Sequence, residues 1–153
     1  MRAEEIGQEI DRQLDAFEEA MGRPPDYIDG HQHVQQLPVV REIVLDRLKH
    51  RLPPGTALRV CHEPLAAIRR RGIAVLRAAV IAAIGRPLRR LADDNAIASN
   101  RRFAGVRNFT ERQPYRALFR RYIADPPHGL AIMCHPGYPD DALRKLDPVV
   151  DSR

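Results

Sequence analysis

The 153-residue sequence has no Trp, four Tyr, four Phe and only two Cys. Cys61 and Cys134 cannot build a disulfide framework, which excludes a disulfide-stapled scaffold, and lone cysteines of this kind read as small buried hydrophobes. Lysine is nearly missing too: of 25 basic residues all but Lys49 and Lys145 are Arg, a skew that reads as codon bias. No apolar run approaches the roughly 18 residues that span a bilayer. The acidic opening Met1-Arg2-Ala3-Glu4-Glu5-Ile6 has the wrong chemistry for a secretory signal, so the expectation is a cytoplasmic protein with no membrane span. Neither an internal repeat nor a low-complexity tract is present.

What is there is ordinary globular material, 44% hydrophobic and 29% charged, so the chain is read as one folded domain over 1–153. The net charge of +5 raises the question of nucleic acid. The densest basic cluster, Arg69-Arg70-Arg71 followed by Arg77, Arg86, Arg89 and Arg90, has no aromatic residue interleaved to stack bases. It is read as a solvated helix face, and no nucleic-acid partner is expected.

Apolar residues Ile6, Ile10, Leu14, Phe17 and Met21 recur at three- and four-residue steps, which predicts an amphipathic helix over 4–21 ended by Gly22 and Pro24-Pro25. A short extended stretch over 27–31 and a helix over 38–50 follow. A second strand is expected over 57–61. The apolar stretch over 72–92 predicts a helix kinked or split at Gly85 and Pro87. A strand at 103–106, a helix over 114–124 with Tyr115, Leu118, Phe119 and Tyr122 inward, a strand at 130–134 and a helix starting at Asp141 complete the pattern. Strands alternating with helices, one of them continuously apolar, point to an α/β fold with a parallel sheet covered by helices. Ligands bind such sheets at the carboxyl ends of the strands.

Two clusters fall there. In Asp29-Gly30-His31-Gln32-His33 an extended backbone puts Asp29, His31 and His33 on one face. Two imidazoles and a carboxylate so placed are metal-ligand chemistry, and two loop histidines satisfied by water or backbone are the bland alternative. The second cluster, His135-Pro136-Gly137-Tyr138, places a titratable imidazole directly after an apolar strand, as a general acid requires. A structural zinc site built from Cys61-His62 and Cys134-His135 is a third option, disfavoured by the adjacent spacing of its ligands.

Taken in order, Pro25-Asp26-Tyr27-Ile28-Asp29-Gly30-His31-Gln32-His33-Val34, Pro38, Arg59, Phe103-Ala104-Gly105-Val106 and Met133-Cys134-His135-Pro136-Gly137-Tyr138 resemble the YdjC-like carbohydrate deacetylase family. The family includes chito-oligosaccharide deacetylases and hopanoid-biosynthesis-associated proteins, and the Asp-Gly-His-Gln-His-Val form with Leu37-Pro38 is most similar to the hopanoid branch. The resemblance covers essentially the whole chain. It implies part of a distorted (β/α), TIM-like barrel and a hydrolase that removes N-acetyl groups from an amino-sugar or glycan substrate with a divalent metal, Mg or Zn. Carried over residue by residue, His31 is a metal ligand, His135 the proton donor to the leaving amine and Arg59 a catalytic-site arginine. His33, Asp29 and Tyr138 face the substrate.

The sequence also departs from the family pattern. Gln35 stands where a further histidine is usual. No Asp-Asp pair follows an N-terminal strand, and a later Gly-x-His ligand segment is absent. Asp93-Asp94 and Asp140-Asp141 are read as helix-end residues, the latter as a cap. A (β/α) barrel takes about 250 residues, so the chain is expected to be shortened at both ends and inactive alone. The alternative is a non-catalytic carbohydrate-binding or self-associating partial barrel, in which a homo-oligomer would cover open sheet edges.

Overall fold

The computed structural model describes residues 2–108, 114–124, 126–136 and 140–146. Helix α1 (Ala3–Met21) ends where Gly22 takes the left-handed conformation (φ 67°) and donates its N–H to the Glu18 carbonyl. Only part of its apolar stripe is covered: Leu14 is buried, while Phe17 and Met21 are exposed. The chain then forms β1 (Tyr27–Ile28), a 3₁₀ segment (His31–Gln36), α2 (Val40–His50) and β2 (Ala57–Leu58). Leu14, Val44, Leu45, Leu48, Leu58, Val60 and Leu88 share one core. Each such side chain withdrawn from water contributes about 1.5–3 kcal/mol.

Helix α3 (Leu65–Arg71) was not anticipated as a separate element. It closes on Arg69, Arg70 and Arg71, cations at the negative end of the helix dipole. Helix α4 (Val75–Asp94) runs on through Gly85 and Pro87, so the expected split is not seen. Pro87 removes the hydrogen bond that the Ala83 carbonyl would accept. Both residues are exposed, so water can serve that carbonyl. Gly85 is buried against the β2 end, and a Cβ there would strike Gln36 Oε1 and the backbone of Cys61 and His62.

β3 (Arg102–Ala104), α5 (Tyr115–Tyr122), β4 (Leu130–Ile132) and α6 (Asp141–Leu146) follow. Leu118 and Tyr122 of α5 are buried with Ile73 and Ala104, as the sequence pattern requires. The pairs β1–β2 and β3–β4 are both parallel, in the registers Tyr27↔Ala57 and Arg102↔Leu130. A parallel bridge from Leu58 to Ser99 links the two. There the Asn100 side chain stands in for a peptide group: its amide accepts from the Val60 N–H and donates to the Val60 carbonyl, both at 2.8 Å.

The fold class is therefore α/β with parallel strands, as expected. A part of a barrel is not shown: among the described residues the sheets are two-stranded, short and not closed. None of the described helices is long and apolar enough to cross a membrane.

Candidate active site

The carboxyl ends of all four strands open into one cleft of about 1230 Å³. β1 supplies Asp29 to His33, β2 supplies Arg59, β3 supplies Gly105 to Arg107, and β4 supplies Met133 to His135; α4 adds a wall of Val80, Ile81 and Ile84. Gly105 (φ 102°) permits the convergence, because a Cβ there would collide with the Met133 backbone.

The loop after β1 does not stay extended. Gln32 (φ 51°) and His33 (φ 67°) take left-handed conformations within the 3₁₀ segment, each at a cost of about 1 kcal/mol. The shared face derived for Asp29, His31 and His33 is thus replaced by a turn: His31 is exposed, whereas His33 is half-buried. The turn is held from β2. Arg59, only 6% exposed, ion-pairs with Asp29. It donates to the Gly30 carbonyl at 2.7 Å and lies 3.1 Å from His33 Nδ1. Its guanidinium also sits 5.8 Å from the Phe103 ring centre, and the same ring meets His33 edge-on at 6.1 Å.

Two glutamines lock the loop from behind. Gln35 and Gln36 are each 1% exposed. Gln35 Nε2 donates to the Arg59 carbonyl at 3.1 Å, and the Cys61 N–H donates to Gln36 Oε1 at 2.9 Å. Gln35 thus has an anchoring role at the position where the family usually has histidine. Sequence reasoning missed Gln36, which looks like a surface residue in a polar run and is buried because the β2 end needs its carbonyl.

Burial, with the Arg59 charge beside it, lowers the His33 pKa to about 4. Burial pushes the Cys61 thiol up to about 12. Cys61 is buried as expected; Cys134 is exposed, because its strand end faces the cleft, and it accepts from the Tyr115 hydroxyl at 3.0 Å. His135 is half-buried and lines the cleft with His31 and His33. Gly137 and Tyr138 lie outside the described residues.

The donor set does not fit a complete metal centre. Among the described residues no three His, Cys, Asp or Glu groups gather to hold an ion; Asp29 and His33 are engaged with Arg59, which leaves His31 as the candidate ligand. The Cys-His zinc arrangement is likewise not formed, since Cys61 faces His33 and Cys134 faces Tyr115. Neither acidic pair replaces the missing one. Asp93 and Asp94 end α4, about 14–15 Å along the helix from Ile84 of the cleft wall at 1.5 Å per residue. Asp140 caps α6, accepting the Leu143 N–H at 2.8 Å.

The parallel strands of this α/β chain thus deliver His31, His33, His135 and Arg59 to one cleft. The chain belongs to the YdjC-like protein family, whose model matches residues 1–152. It is 32% identical over 149 residues to the carbohydrate deacetylase of Mus musculus, an alignment covering 88% of this chain and 46% of the mouse protein. The chain thus spans less than half the length of that curated relative. No solved structure matches it.

Proposed function

We propose that the chain forms the substrate cleft of a carbohydrate deacetylase, a hydrolase cleaving the amide C–N bond of an N-acetylated amino sugar or glycan. The convergence of all four described strand ends on a cleft holding His31, His33, Arg59 and His135 supports this reading, together with the family and the mouse relative. In this reading His135 passes a proton to the departing amine. Arg59 and Asp29 hold the loop that presents His33, and His33 and Tyr138 meet the sugar. A divalent Mg or Zn ion, as the family resemblance implies, would find His31 here and too few further ligands among the described residues. Hence the chain alone is proposed to bind acetylated sugar without turning it over. A cytoplasmic location and a place in the hopanoid-associated branch belong to the same proposal.

A second reading, a self-associating partial barrel, draws on Val80 (51% exposed) and Ile84 (42% exposed) on the cleft wall and on the open sheets. Calorimetric titration with a trimer of N-acetylglucosamine, acetate-release assays with Mg²⁺ or Zn²⁺, and light scattering test both. Saturable binding weakened about tenfold by His33→Ala, without acetate release, is expected. A stable monomer sinks self-association, and no binding at millimolar trimer sinks the cleft assignment.

A further inference from the structure

We propose that Arg59 is a positioning residue that fixes His33 in the tautomer carrying its proton on Nε2, so that His33 meets a ligand as a hydrogen-bond donor and not as a metal ligand. A guanidinium has five N–H donors and no acceptor. With Arg59 Nη1 at 3.1 Å, His33 Nδ1 has to present its lone pair. Cys61 Sγ lies 3.3 Å from the same nitrogen, and a thiol, which can donate or accept, is compatible with that tautomer.

The guanidinium is not free to leave. Asp29 and the Gly30 carbonyl hold Nη2, Gln35 holds the Arg59 backbone, and Phe103 contacts both the guanidinium and the imidazole. Binding a metal through Nε2 would move the proton to Nδ1 and point two donors at each other. The role this tautomer offers is donation from Nε2–H to an oxygen. The kind of oxygen, an acetyl carbonyl or a sugar hydroxyl, rests on the deacetylase reading; the tautomer does not.

Long-range ¹H–¹⁵N correlation spectra of the histidine rings read the tautomer directly, with His33 identified by its loss in His33→Gln. At pH 7 His33 should show the neutral Nε2–H pattern alone, and added Zn²⁺ should shift His31 signals while leaving His33 unchanged. In Arg59→Met the single pattern should give way to a tautomer mixture that Zn²⁺ perturbs, and Arg59→Lys, which keeps a donor, should restore much of it. A neutral Nδ1–H pattern, an imidazolium at pH 7, or displacement of the His33 proton by Zn²⁺ in the unsubstituted chain overturns the proposal. That measurement stands whether or not the Arg59 variants fold. A trimer of N-acetylglucosamine that fails to bind while the Nε2–H pattern is intact sinks the deacetylase reading and spares the tautomer.

Discussion

Among the arginine–carboxylate networks of the described residues, two use the same chemistry to different ends. On the outside, Arg47 of α2 and Arg51 at its C-terminal end grip Asp11 of α1 at 2.8 and 3.0 Å, with Arg51 extending to Asp15. Their side chains are 23–34% exposed, apart from Asp15 at 71%. At the strand ends, Arg59 is buried, and its Nε is a buried donor with no hydrogen-bond partner among the described residues. The outer network holds two helices together in high dielectric, where pairs contribute little. The inner one commits a desolvated cation to shaping a loop, and its contribution lies in the geometry it imposes on His33.

The contrast can be broken first at Arg59. Arg59→Met leaves the Gly30 carbonyl and His33 Nδ1 without their donor, while Asp29, 51% exposed, can rehydrate; urea unfolding should show a loss of about 1–3 kcal/mol, the scale for buried polar groups left unpaired. Gly85→Val should cost about 1–3 kcal/mol through overpacking, because the new side chain meets Gln36 and the Cys61–His62 backbone. Crystallography of that variant should show Gln36 displaced from Cys61.

Between these and the outer network stands a pH effect. The His33 pKa is about 4 when folded against about 6.5 unfolded. Between those values the unfolded chain binds more protons, so stability is full above about pH 6.5 and falls as pH drops toward 4. His33→Gln should flatten that slope in urea titrations run across the window. The smallest effect belongs outside: Asp11→Ala should cost about 1 kcal/mol or less, and the difference should shrink in 1 M NaCl, where charges are screened beyond about 3 Å. The Arg59→Met loss should persist in that salt; if it vanishes, the two networks are not different in kind.

Much of the framework was legible from local pattern. The periodic stripe and Gly22 mark α1 to within a residue, and the strand-end rule points to positions 29–33 and to His135, which line the cleft with Arg59. The capping role of Asp140 was equally readable, because an N-cap is a local interaction. The turn at Gln32 and His33 was not. Alternating His-x-His fits an extended strand as well as a left-handed turn, and the choice falls to Arg59 and Cys61, more than 25 residues away. Gln35 and Gln36 were hidden for the same reason: the one hydrogen bond that anchors each amide goes to backbone after another strand, which no local window contains.

Sequence alone determined that parallel strands alternate with helices, that the candidate residues sit at strand ends, and which family the motifs belong to, because periodicity, caps and motif residues are written within short segments. Only the tertiary structure decided that the described strands form open pairs, that His33 is turned inward while His31 faces out, and that Arg59 stands between Asp29 and His33. Those outcomes depend on long-range packing and on which buried donor finds which acceptor, and the chain settles them only once its distant segments meet.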